Sequence, residues 1–267
     1  MTRIEFHRVV IACDARADLR RAVGEAAVLA AEWRAELSGL YVEDENLYRL
    51  AELDEIVRHV GFSPAEFEAP AAETLRRMLP AYAEMMRTAL EAAARRHRLA
   101  WSFATRRLVP SVAMFEELDY DMLILDAGAR PVSGEWRPRS TWQAIALAAA
   151  HTVLLKRHRA GGHGTVIVAP HEDADHERLI ASAFALAGPR DGIVILSPDP
   201  AVRQLADRIA AEHRRFYRLE AAPAAIEDLL ARLDELDPAL LVLSAGDDAE
   251  RLVALAEGTR CDLLLVR

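Results

Sequence analysis

Cysteine is nearly absent: the 267 residues hold two, Cys13 and Cys261, far apart and each within an apolar, strand-like run. That excludes a disulfide framework and suits a reduced cytosol; both thiols read as core residues and not as redox or metal groups. Aromatic residues are 6% of the chain, so the cores must be built from Ala, Leu and Val. No apolar run reaches the roughly 18 residues of a membrane span. The opening residues Met1–Arg8 carry no apolar signal segment and move straight into a strand, so the expectation is a cytoplasmic protein without a membrane partner. Basic excess is missing too. A net charge of −9 argues against binding a phosphate backbone, and so against nucleic acid as a partner. There is no G-x-S-x-G nucleophile elbow, no G-K-[ST] P-loop and no G-x-G-x-x-G fingerprint. Neither a nucleophile nor a metal–phosphate site for turnover can be found, and the chain is expected not to be an enzyme.

What is present is a plan used twice. Residues 120–157 read as a buried strand, a loop, an Ala-rich helix and a second buried strand; residues 238–267 repeat this with a shorter loop. Before them, Val9–Cys13 is a β-branched apolar run of the kind covered on both faces. Ala17–Arg34 has helical spacing, with Asp18 suited to its positive end. Leu37–Val42 is a second strand and Trp101–Thr105 a third; Pro110–Leu118 starts a short helix. Residues 46–98 exceed an ordinary connection and imply a helical insertion at about 46–80 before the regular second helix, with Pro80 expected to kink or split the last segment. The simplest role of this insertion is an added packing face; the alternative is a lid or partner surface. The Gly-rich His158–Gly164 marks a boundary, giving domains at 1–158 and 159–267. The second half alternates strictly: strands at 166–170, 192–196, 216–220, 240–243 and 263–266, helices at 174–188, 200–214, 223–236 and 250–257. Such alternation implies a parallel sheet with helices on both faces. Val9–Asp18 also lies over Val166–Asp175 without a gap, with His171 in place of Asp14.

The V-x-x-A-x-D end of the first strand, the I-L-x-x-G-x-R turn after Leu123 and the run Glu36–Glu45 resemble the universal stress protein family over nearly the whole chain, the first half more closely than the second. The resemblance implies an α/β fold of two tandem flavodoxin-like (Rossmann-like) domains, each a five-stranded parallel sheet of order 3-2-1-4-5. It also implies a pseudo-dimer within the chain, with the last strands, His151–Arg157 and Cys261–Arg267, side by side; a homodimer of whole chains stays open. Members act in stress resistance and signalling, and many bind ATP through G-x-x-G-x9-G-[ST] after the fourth strand. Glycines there let backbone approach the phosphates, and a helix start holds the anion. In this chain the three glycine positions fall on Asp126, Ala129 and Arg139, and only Ser140 matches.

Asp14 matches the family aspartate beside the nucleoside and Val42 an apolar position near it. Arg130, Arg137 and Arg139 offer side-chain donors where backbone donors are missing. Asp14, Val42, Arg130, Arg139 and Ser140 are therefore the candidate nucleotide or anion site, ATP being the ligand to test; the plainer reading leaves the arginines solvated. Ser244–Glu250 in the second half is too short and too acidic for a phosphate, and no nucleotide is expected there. His171–His176 contains metal-ligand types, but a polar loop and helix start explain them, and no metal is expected. The expectation is a non-catalytic regulatory or interaction module in stress response, needing no cofactor and acting through a protein partner. A nucleotide or anion sensor is the alternative, and a slow ATPase lacks the groups it would require.

Overall fold

The computed structural model describes residues 6–14, 18–45, 49, 72–108, 118–126, 146, 152–156, 164–171, 174–223, 225–246 and 248–267. Its contacts divide the chain into two units, one of Phe6–Thr141 and one built on Trp142–Arg267.

The first unit begins with β1 (Arg8–Cys13), α1 (Leu19–Trp33) and β2 (Glu36–Asp44), and continues with α2 (Ala72–His97), β3 (Trp101–Leu108) and β4 (Met122–Asp126). Its strands lie in the order β3-β2-β1-β4, all parallel. Val9, Val10, Ile11, Ala12 and Cys13 are all buried, as a central parallel strand requires. Asp18 starts α1 by accepting a hydrogen bond from the Arg21 amide, and Arg34 ends it in the left-handed region. Between these caps, Leu19, Ala22, Val23, Ala26, Ala27 and Ala30 turn one face inward.

Helix α2 packs on α1 and on β2 through a stripe of Leu79, Ala83, Met86, Leu90 and Ala94, all buried. Pro80 does not split it: the helix runs unbroken from Ala72 to His97. Proline removes one backbone donor, but Pro80 is exposed, and the buried stripe on either side holds the helix together. The fit against β2 is tight. A Cβ on Gly39 would stand 2.8 Å from Leu90 Cδ2, so glycine is the residue that lets α2 seat. Most of the sequence-read insertion at 46–80, the short helix at 110–118 except Leu118, and the loop after β4 lie outside the described residues.

The second unit contains β5 (Thr152–Lys156), β6 (Thr165–Ala169), α3 (His176–Leu186), β7 (Gly192–Leu196), α4 (Pro200–His213) and β8 (Arg218–Glu220). It ends with α5 (Ile226–Leu236), β9 (Leu240–Ser244), α6 (Ala249–Gly258) and β10 (Asp262–Val266). The order β8-β7-β6-β9-β10 is the 3-2-1-4-5 arrangement of the sequence reading, with its five strands parallel. β5 adds to it antiparallel to β10, with Leu155 opposite Leu263 and Val153 opposite Leu265. These are the two strands that the resemblance places side by side. This pairing puts β5 in the second unit by contact, so the division falls between Thr141 and Trp142. Lys156 and Asp262 form an ion pair across the two strands.

Helix α5 shows the limit of periodicity. Its helical spacing would turn Ile226, Leu229, Leu230, Leu233 and Leu236 inward; Leu229 and Leu233 are buried, whereas Ile226, Leu230 and Leu236 are only half-buried. The two cysteines lie in the cores, Cys13 fully buried and Cys261 nearly so.

Candidate functional site

Parallel α/β sheets bind ligands beyond the carboxyl ends of their strands, because the βα loops and the helix starts converge there. Each unit has such an edge.

In the first unit β1 and β2 pair in register to Cys13 opposite Tyr41. Asp14 and Val42 are the next residues on each chain, so the fold brings these two candidates to adjacent positions at the edge. Asp14 is 3% exposed and Val42 fully buried. A carboxylate at that depth is held by neighbours, since an isolated buried charge costs far more than a strand end can supply. β4 pairs with β1 up to Leu125 opposite Ala12. Asp126, the last residue of β4, thus stands where the phosphate loop of the family pattern would begin with glycine. Arg130, Arg139 and Ser140, with Arg137, lie outside the described residues.

The second unit has a cavity of about 1050 Å³ at its carboxyl edge. Its walls come from beyond the ends of four strands: Pro170 and His171 after β6, Ser197–Asp199 after β7, Ala222, Pro223 and Ala225 after β8, and, past β9, Asp248 with Glu250, Arg251 and Ala254 of α6. Leu196, 1% exposed, and Leu229, 3% exposed, form its apolar base with Ile226.

The backbone amides around this cavity are largely satisfied from within. The Asp175 carboxylate accepts from the Arg178 amide at 3.0 Å and starts α3. The Ser197 hydroxyl accepts from the Asp199 amide at 3.2 Å, and Asp199 Oδ1 accepts from Ala201 at 2.8 Å to start α4. The Ser244 hydroxyl accepts from the Gly246 amide at 3.2 Å, and Asp248 Oδ1 accepts from Glu250 at 3.2 Å to start α6. An aspartate at the N-cap fills the position a phosphate oxygen would take, since both need the same free N–H groups and the same positive helix end. α5 begins at Ala225 without a side-chain cap and carries Glu227 and Asp228 in its first turn.

The gapless internal alignment is visible here in atoms. Asp18 and Asp175, aligned in sequence, both cap the helix after the first strand through the amide three residues on. His171 stands in the place of Asp14. Its carbonyl accepts from the Ala174 amide at 3.1 Å and lies 2.9 Å from His176 Nε2. Because a carbonyl can only accept, His176 Nε2 is the donor in this contact. Glu172 and Asp173 lie outside the described residues; among those described, no three His, Cys, Asp or Glu side chains are grouped to hold a metal ion.

The sequence reading did not assemble this cavity. It treated His171–His176 and Ser244–Glu250 separately and passed over Ser197, Asp199 and Arg251. The available signal was the repetition of Asp immediately before a helix in the loop that follows a strand, at Asp175, Asp199 and Asp248, which marks helix starts all opening on one edge.

No protein-family profile matches the sequence, and no curated protein matches it significantly. Solved structures do match its fold. A universal stress protein from Archaeoglobus fulgidus DSM 4304 superposes with a TM-score of 0.55 at 14% identity, covering 97% of this chain and 96% of its own. A candidate universal stress protein from Pseudomonas aeruginosa UCBPP-PA14 gives a TM-score of 0.55 at 14% identity, over 98% and 93%. A functionally unknown protein from Pseudomonas aeruginosa PAO1 gives 0.50 at 15% identity, over 96% and 92%. At these identities the likeness is one of fold: α/β units of the universal-stress, flavodoxin-like type.

Proposed function

We propose that this chain is a non-catalytic regulatory module of the universal-stress type, acting in stress response through a protein partner and without ATP in the usual mode. The observation that carries this reading is the state of the helix starts. At the carboxyl edge of the second unit, the Asp199 and Asp248 carboxylates already occupy the amides that open α4 and α6. In the first unit Asp126 ends β4 where a glycine would let backbone approach a phosphate. The fold likeness to solved universal stress proteins supports the general class. Among the described residues no helix is long and apolar enough to cross a membrane.

The test is thermal unfolding with and without ATP and magnesium. A ligand present at about one hundred times its Kd stabilises the folded state by about 2.7 kcal/mol, which would raise the Tm of a unit this size by roughly 7–14 °C. The expected shift is below 1 °C, within about a tenth of that effect. A rise of several degrees that Asp14→Ala removes would replace this reading with the nucleotide sensor centred on Asp14, Val42, Arg130, Arg139 and Ser140.

A further inference from the structure

We infer that the carboxyl-edge cavity of the second unit binds a small organic cation, an amine or guanidine carried on an apolar body. At about 1050 Å³ it has the capacity of a small-molecule pocket, for which roughly 300–1,000 Å³ is typical. Its interior is suited to hydrocarbon. Leu196 and Leu229 are buried beneath it, and Ile226 and Ala254 line it. The cavity determines that a ligand fits; the charges at its mouth determine which kind.

Those charges are Asp199, Asp248 and Glu250, against Arg251. Asp199 uses Oδ1 to cap α4, and its second oxygen makes no hydrogen bond or ion pair among the described residues. The Glu250 carboxylate likewise has no partner among them; only its backbone amide is engaged, by Asp248. The mouth therefore offers acceptors in excess: the amides that open α4 and α6 are taken, and the uncapped start of α5 carries Glu227 and Asp228 in its first turn. An ammonium or guanidinium group is all donor and meets this complement; a phosphate meets like charge.

The inference is independent of ligand binding in the first unit. ATP held at Asp14 would overturn the proposed function and leave this site untouched, because every residue named here belongs to the second unit.

The experiment compares three probes of similar size on the full-length chain: phenethylamine, phenethyl alcohol and phenyl phosphate. Binding is followed by amide chemical-shift changes in NMR. The expected order of affinity is amine, then alcohol, then phosphate, with the shifts centred on Ser197, Ile226 and Glu250. Asp199→Asn keeps the helix cap, because an asparagine oxygen accepts the same amide hydrogen bond, and Glu250→Gln keeps the shape. Each is expected to weaken the amine about threefold and the pair about tenfold, the scale of solvent-exposed charge pairs, with the alcohol unchanged. The inference is overturned if the amine causes no shifts at these residues, if alcohol or phosphate binds as tightly as the amine, or if the charge-neutral variants, with their spectra otherwise preserved, bind the amine as well as the parent.

Discussion

Replacing Gly39 by alanine tests how α2 fixes β2, the strand that carries Val42 to the first carboxyl edge. The φ of Gly39 is outside the left-handed region, so alanine can adopt the backbone, and only contact opposes it. Its Cβ would stand 2.8 Å from Leu90 Cδ2, 3.2 Å from Phe103 Cδ2 and 3.4 Å from Met86 Cε. Leu90 and Met86 are fully buried, so neither has open space to retreat into. Overpacking of this kind costs about 1–3 kcal/mol, and the lower entropy of the unfolded alanine chain returns about 0.4–1 kcal/mol. A net loss of about 1–2 kcal/mol should lower the Tm by roughly 4–8 °C. Leu90→Ala alone should cost about 2–5 kcal/mol by leaving a cavity. In the double variant the new methyl enters the space that Leu90 vacated, so the combined cost should fall short of the sum by about 1–2 kcal/mol. Urea unfolding of the four proteins measures this coupling. A neutral Gly39→Ala, or costs that add to within about 0.5 kcal/mol, would refute the claim that glycine is there to admit Leu90.

Two further outcomes follow from the second unit. Asp262→Asn removes the partly buried ion pair with Lys156 and should cost about 1.5–3 kcal/mol, the range for hydrogen bonds to charged groups; Lys156→Gln in the same chain should add little, read from urea midpoints. Tyr217 is pushed up to about 12, first by burial and then by its hydrogen bond to Asp207. Its folded pKa is thus above the unfolded value of about 10, so its contribution to stability is intact below about pH 10 and lost as pH rises toward 12. The difference in phenolate absorbance between the parent and Tyr217→Phe should therefore show a midpoint well above that of an exposed tyrosine, and the stability of Tyr217→Phe should fall less steeply in that window.

The strands were the legible part of the sequence. A buried parallel strand must be apolar on both faces, so Val9–Cys13, Val166–Ala169 and Leu240–Leu243 could be placed from composition alone. Helix starts were legible for a related reason: aspartate competes for free amides wherever a helix opens, and Asp18 and Asp175 show it at aligned positions. Pro80 was harder to read, because local propensity argues for a break while burial of Leu79, Ala83 and Met86 keeps the helix whole. The site was less legible still. Asp14 and Val42 were recognised through a pattern and do meet at the end of the β1–β2 ladder. The second cavity joins Pro170, Ser197, Ile226 and Glu250, residues far apart in the chain that no local spacing connects.

By itself the sequence determined which segments become strands and helices and where an aspartate caps a helix start, since these depend on burial of neighbouring side chains and on amides within one turn. Tertiary structure decided that β5 lies against β10, that α2 presses on Gly39 and that residues from beyond four strands line one cavity. Each of these depends on strand order and on distances between segments remote along the chain, which are set when the sheet assembles.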